Sequence, residues 1–169
     1  LAAIQKELIE ETEFGKKVQA QAKEADEAVK ALQEAGKNGL TREKLLDLII
    51  NAKSEVALTT LVNLARAGMD YEFFTLLTQR VDEAAEPEKA RLTELRAKLI
   101  EMTAVIDKAI QQQIERSRKV LEELLKAPNI EETTQQNLDL VDDFFIEILR
   151  SELDGARQRG DFERSGKLQ

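Results

Sequence analysis

The chain contains no cysteine and no histidine. Those two absences exclude disulfides, thiol nucleophiles and thiolate or imidazole metal sites, and they remove the one side chain that ordinarily titrates near neutral pH. Most enzyme mechanisms thereby lose their usual parts. Tryptophan is also missing, aromatic residues make up 4% of the chain, and 169 residues include only two prolines and seven glycines. So little turn chemistry fits a helical bundle better than a sheet protein. No run approaches the roughly 18 consecutive apolar residues of a membrane-spanning helix, and no signal-peptide pattern opens the chain, so a soluble, cytoplasmic product is expected. There is no glycine-rich phosphate loop, no G-x-S-x-G and no basic patch interleaved with aromatics.

What is present is apolar and charged in helical proportions: 42% hydrophobic residues against 34% charged ones, which points to an all-α fold. Acidic residues outnumber basic ones, 33 to 25, for a net charge of −8. A chain of that sign lacks the general attraction for phosphate backbones and anionic lipid heads, so neither nucleic acid nor a membrane surface is an expected partner. The length suits about one ordinary domain, and one core plus an arm is expected.

The organising stretch runs from Pro87 to Ala127, a helix of about 40 residues that contains no glycine. Pro87 suits the first helical position and Pro128 forbids continuation. Leu92, Leu95, Leu99, Met102 and Ile106 recur in steps of three and four, forming one stripe for other helices to pack on. The seam then steps by fours to Ile110 and Ile114 before returning to Ser117, Leu121 and Leu124. That slip against a strict heptad predicts two packing partners, one per half. Glu94 with Lys98, Glu115 with Lys119 and Glu122 with Lys126 form acid-before-base pairs on the wet side. Gln111, Gln112 and Gln113 sit at the slip, either as a polar contact surface or as a solvated stretch.

Residues 1–39 form a coiled-coil-like arm. Its seam is Ile4, Leu8, Glu11, Gly15, Val18, Ala22, Ala25, Val29 and Leu32, with side chains that shrink toward the middle. Such a seam buries little area, so the arm needs a partner, inside the chain or in a second copy. Gly15 reads as a hinge or close crossing, or as an accident of a solvated helix. Gly36 to Gly39 is the clearest breaker and divides the arm from a body at 40–169. Thr41, Ser54 and Asp70 are placed to cap three short helices, to about Ala52, Gly68 and Ala85. Asn129 with Glu132 makes a capping pair after the long helix. A last main helix is expected from about Leu138 to Arg159, followed by a frayed turn or short helix from Asp161 to Gln169. Leu1 is not an initiator methionine and helical periodicity is already under way there, which suggests a segment of a longer protein.

The body repeats itself. A 72-residue shift places Met69-Asp70 on Val141-Asp142, Phe73 on Phe145, Leu76-Leu77 on Ile148-Leu149, Val81-Asp82 on Leu153-Asp154 and Ala84 on Ala156; five of these pairs are identities. Upstream the shift becomes 75, matching Leu45-Leu46, Ile49-Ile50 and Ala52 to Val120-Leu121, Leu124-Leu125 and Ala127. The expected architecture is therefore an elongated all-α bundle with one long central helix and an internal duplication, its units at about 45–85 and 120–157.

Four stretches carry a family resemblance: Leu45-Leu-Asp-Leu-Ile-Ile-Asn-Ala52, Met69-Asp-Tyr-Glu-Phe-Phe-Thr-Leu-Leu-Thr-Gln-Arg-Val81, Leu92-Thr-Glu-Leu-Arg-Ala-Lys-Leu-Ile-Glu-Met-Thr103 and Asn137-Leu-Asp-Leu-Val-Asp-Asp-Phe-Phe145. From about Leu40 onward the chain resembles the helical C-terminal region of bacterial CpXC-domain proteins. In that family a domain with Cys-x-x-Cys pairs precedes the helices. No cysteine is present here, so the resemblance carries over no metal ligand and implies only a region of a larger bacterial protein.

Three groups of residues are candidates for chemistry. Asp142, Asp143 and Glu147, with Glu131 and Glu132 upstream, are dense enough to share a cation, although carboxylate di-metal bundles normally add Glu-x-x-His pairs; the plainer alternative is carboxylates favoured at helix starts. Phe73-Phe74 and Phe144-Phe145 line a ligand pocket or belong to the core. Arg157, Arg159, Arg164 and Lys167 touch an acidic partner or satisfy a helix dipole. No catalytic, cofactor-binding or metal residue is assigned. The expected function is a non-catalytic interaction, scaffold or oligomerisation module with a protein partner or a second copy bound through the arm. Two alternatives stand beside it: a ligand-binding or sensor bundle with an apolar cavity between the duplicated halves, and an enzyme using carboxylates alone.

Overall fold

The computed structural model describes residues 12–169, and the arm positions Ile4, Leu8 and Glu11 lie outside the described residues. Among the described residues every regular element is helical. They are α1 (Glu13–Gly36), α2 (Arg42–Ile50), α3 (Glu55–Ala65), α4 (Tyr71–Glu83), α5 (Glu88–Lys126), α6 (Ile130–Gln136), α7 (Asp143–Arg159) and α8 (Phe162–Lys167), with 3-10 turns at Arg66–Gly68 and Leu138–Leu140. Two compact units result, Leu1–Ile106 and Asp107–Gln169.

Local chemistry sets most helix starts. The hydroxyls of Thr41 and Ser54 accept from Lys44 N–H and Ala57 N–H at 3.3 and 3.1 Å, and the Asp70 carboxylate accepts from Phe73 N–H at 3.1 Å. Asn129 Oδ1 takes Glu132 N–H at 3.2 Å, while the Glu132 carboxylate returns to the Asn129 side-chain amide at 3.1 Å and not to its backbone N–H. α1 opens at Thr12, whose hydroxyl accepts from Gly15 N–H at 2.9 Å. Gly15 is therefore a buried residue of a first turn, where its lack of a side chain matters less than in a helix interior. The final main helix does not begin at Leu138. Residues 138–140 form a separate 3-10 turn, because the Asp142 carboxylate captures Phe145 N–H at 2.8 Å and starts α7 there. α7 ends at Gly160, φ +69°, where Gly160 N–H bonds Arg157 O at 3.1 Å and Asp161 N–H bonds Ala156 O at 2.9 Å. This paired closure favours a residue without a Cβ.

The long helix is unbroken over its 39 residues, about 60 Å. Pro87 lies one residue outside it, its carbonyl accepting from Arg91 N–H at 3.3 Å. Leu92 and Leu99 are buried in one apolar cluster, with Leu95, Met102 and Ile106 packed against it; Leu121 and Leu124 are buried in another. Each half thus serves its own core, and the expectation of a single core is corrected to two. The slip between Ile106 and Ser117 is the cause, since it turns the stripe away from the residues that cover the first half. Two of the acid–base pairs expected along this helix are also replaced: Lys98 turns to Glu55 on α3, and Glu122 to Arg164 on α8.

In the first unit, α2 is apolar on nearly every side and buries Leu45, Leu46 and Ile49. α1 packs mainly on α3 and also on α2, adding Ala28 and Leu32 to the same cluster. In the second, Phe145, Ala156 and Leu168 close over Leu121 and Leu124. The C-terminal segment is accordingly an anchored helix and not a frayed turn.

The two faces of α5 differ sharply at neighbouring positions, Leu99 being 0% and Ile100 49% exposed. Leu99→Ala is expected to lower the unfolding free energy by about 2–5 kcal/mol. Ile100→Ala should change it by no more than about 0.5 kcal/mol in the same urea titration.

Candidate functional site

The acidic cluster disperses in the structure. Asp142 caps α7 through one oxygen and accepts from the Gln113 amide of α5 through the other. Asp143, Glu147, Glu131 and Glu132 are exposed. Among the described residues, no group of three or more carboxylates is placed to hold a metal ion. Gln113 is thereby a contact between helices, whereas Gln111 and Gln112 face solvent.

Asp70, which caps α4, also takes an outside donor, but there Oδ1 accepts from both Phe73 N–H and the outside donor. Besides Phe73 N–H it binds the guanidinium of Arg42, whose Nε lies 2.9 Å from Oδ1 and 3.1 Å from Oδ2, and whose Nη1 lies 3.0 Å from Glu72. The Arg42 hydrogen bonds, followed by that of Phe73 N–H, hold the Asp70 carboxyl well below the usual carboxylate range. Arg42 is raised in turn by its bond to Asp70. The fork ties the start of α2 to the start of α4.

Phe73, Phe74 and Phe145 belong to the cores, whereas Phe144 is half-buried outside them. Phe73 is 0% and Phe145 4% exposed, and Phe73 meets Phe74 edge to face at 5.4 Å. In the basic tail, Arg157 and Arg159 are exposed, but Arg164 bonds Glu122 at 2.5 Å and Glu152 at 3.0 Å. These bonds raise Arg164 and lower Glu122, and they pin α8 to both α5 and α7.

Two surface features remain. The first is the arm seam. Of its positions Gly15 is buried and Ala25, Val29 and Leu32 are half-buried, with Ala28 buried beside them, whereas Ala22 is exposed, Val18 is 43% exposed and the neighbouring Phe14 is 77% exposed. The 24 residues of α1 outrun the 11 of α3, so the seam continues beyond its cover. The second is a groove of about 780 Å³ between α1 and the α2–α3 pair. Its floor includes Ala28, Ala31, Ala35, Leu48, Ala57 and Leu61; Glu24, Glu27, Glu34, Asp47, Lys44 and Lys53 stand around it. Neither Phe73 nor Phe145 lines this groove. Sequence reasoning missed it, although Ala28, Ala31 and Ala35 fall beside Glu24, Glu27 and Glu34 at helical spacing. Among the described residues, no buried side-chain nitrogen or oxygen lacks a hydrogen-bond partner, and no helix is long and apolar enough to cross a membrane.

Two expected outcomes follow from the caps. Asp142→Ala should destabilise the chain by about 0.5–2 kcal/mol in urea unfolding, while Asp142→Asn, which keeps an acceptor for Phe145 N–H, should cost much less. For Asp70 the folded carboxyl titrates below its unfolded value, so its stabilisation is full above the ordinary carboxylate range and is lost as pH falls. The melting-temperature margin of the natural chain over Asp70→Asn should therefore shrink as pH drops below about 4; a margin that grows there would contradict the ion-pair account.

No family model, curated protein or solved structure matches this chain.

Proposed function

We propose that the chain is a non-catalytic helical interaction module, cytoplasmic and part of a larger protein, which associates through α1 with a second copy of itself. The observation that carries this reading is the bare continuation of the α1 seam. The stripe buried at Ala28 runs on to Val18 and Phe14, whose apolar side chains are exposed on either side of the buried Gly15. Exposed apolar side chains at a helical seam gain most by pairing with a like seam, and a two-fold helix pair is the common solution. The resemblance to the helical region of CpXC-domain proteins agrees with a role as one part of a larger chain.

The body is read as two copies of one helix–connector–helix unit, and local geometry supports this. The 72-residue shift carries the 3-10 turn Arg66–Gly68 onto Leu138–Leu140, the cap of Asp70 onto that of Asp142, and buried Phe73 onto buried Phe145. The 75-residue shift carries the Ser54 cap onto Asn129. A duplicated scaffold of this kind presents α1 without supplying chemistry.

The test is sedimentation velocity on the natural chain and on Phe14→Glu with Val18→Glu. Both positions are exposed, so charge there spares the core, whereas Val29 is half-buried and a charge on it would disturb the first unit. The natural chain should sediment as a dimer and the variant as a monomer with unchanged helicity. A natural chain that is monomeric at high micromolar concentration overturns the self-association.

A further inference from the structure

We propose that the groove between α1 and the α2–α3 pair is a docking site for a basic amphipathic helix of a partner protein. This rests on the interaction-module reading, but it uses a flank of α1 about 100° around the helix from the open seam. Three observations select that occupant.

The first is shape. From Glu24 to Ala35 the wall of the groove rises about 17 Å, close to three turns of a docked helix. Ala28, Ala31 and Ala35 line that wall, and with Ala57 on the opposite side they let a helix backbone approach while Leu48 and Leu61 offer apolar contact. An amphipathic helix reads such a floor with anchors at i, i+3, i+4 and i+7.

The second is charge. Four carboxylates, Glu24, Glu27, Glu34 and Asp47, stand around the groove against the two ammonium groups of Lys44 and Lys53. Lys44 is turned onto the Ala35 and Gly39 carbonyls at 3.3 and 3.0 Å, which leaves it little to offer an acidic ligand. Among the described residues Glu27 and Glu34 pair with Lys23 and Lys37 of their own helix region and Asp47 with Arg80, in exposed contacts that an incoming cation exchanges at little cost. The rim therefore favours lysine or arginine flanking the apolar face of the occupant.

The third is the state of the polar groups. A small polar ligand is held by a few convergent buried donors or acceptors, and no described buried side-chain atom is left without a partner to serve as one. A helix satisfies its own backbone and asks only for apolar contact and rim charge.

The experiment uses fluorescence anisotropy with three labelled peptides of about four helical turns. One carries leucine at i, i+3, i+4 and i+7 with lysine on both flanks. The second replaces each lysine by glutamate, and the third scrambles the basic sequence. The basic amphipathic peptide should bind saturably and more weakly as salt rises, and the other two should bind at least about tenfold less well. Ala31→Arg fills the groove at an exposed helical position with little loss of helix propensity, and should weaken binding about tenfold or more. Glu24→Gln with Glu27→Gln and Glu34→Gln should weaken it and flatten its salt dependence. Absence of saturable binding, equal binding of the scrambled peptide, or binding indifferent to Ala31→Arg overturns the assignment. If the peptide fails while the natural chain still dimerises through Phe14 and Val18, the groove falls and the module reading stands. If the peptide binds to a chain that is monomeric at every concentration, self-association falls and the groove stands.

Discussion

A helix as long as α5 cannot hide one continuous apolar stripe behind a single small bundle, and the remaining helices are arranged around that constraint. At about 60 Å it exceeds the reach of any element in the first unit, whose next longest helix has 24 residues. Its stripe is therefore covered twice. Leu92 and Leu99 enter a core with α2, α3 and α4, and Leu121 and Leu124 enter one with α7 and the C-terminal segment. In each cover an aspartate-capped helix brings one buried phenylalanine, Phe73 or Phe145, to the core. Short helices of this kind are marginal alone and take most of their stability from the buried face.

The entry of each covering helix is fixed by one carboxylate with two tasks. Asp70 and Asp142 each hold a phenylalanine N–H with one oxygen and use the carboxylate to bind a second helix, through Arg42 in one case and Gln113 in the other. A cap alone sets where a helix begins; a cap with an outside donor also sets what it leans on. The donors differ in strength. Arg42 is charged and forked, and Asp70 is held ionised far below its usual range, whereas the neutral Gln113 amide makes a weaker tie.

This division explains how far the sequence was legible. Caps, helix stops and the face each helix buries depend on residues three or four apart, and Thr41, Ser54, Asp70, Asn129 and Gly160 announce them directly. The partners of Lys98, Glu122, Gln113 and Arg42 were illegible, because those side chains bridge 43, 42, 29 and 28 residues of chain. At such separations the choice between an in-helix and a tertiary partner is decided by packing that no local spacing encodes. Arg164 is the clearest instance. A cation in the last turn of a chain satisfies a dipole by default, and only the meeting of α5, α7 and α8 turns it into a bridge between Glu122 and Glu152. The groove was hidden for the same reason: its alanines are visible in α1, but the wall opposite them is built by α2 and α3.

The alanines of α1 bear on function because larger residues would stabilise the unit more. A leucine fully buried in place of open space adds about 1.5–3 kcal/mol, and the groove beside Ala28, Ala31 and Ala35 has room for such growth. The chain uses large apolar residues freely elsewhere: α2 carries Leu45, Leu46, Leu48, Ile49 and Ile50 within nine residues. Small residues on α1 are therefore a local feature and not a general poverty of composition. Stability given up along one helix, beside a rim of carboxylates and next to a seam that stays bare at Phe14 and Val18, is what a surface awaiting a second helix requires. The same burial that would strengthen the isolated chain is left for the complex to complete.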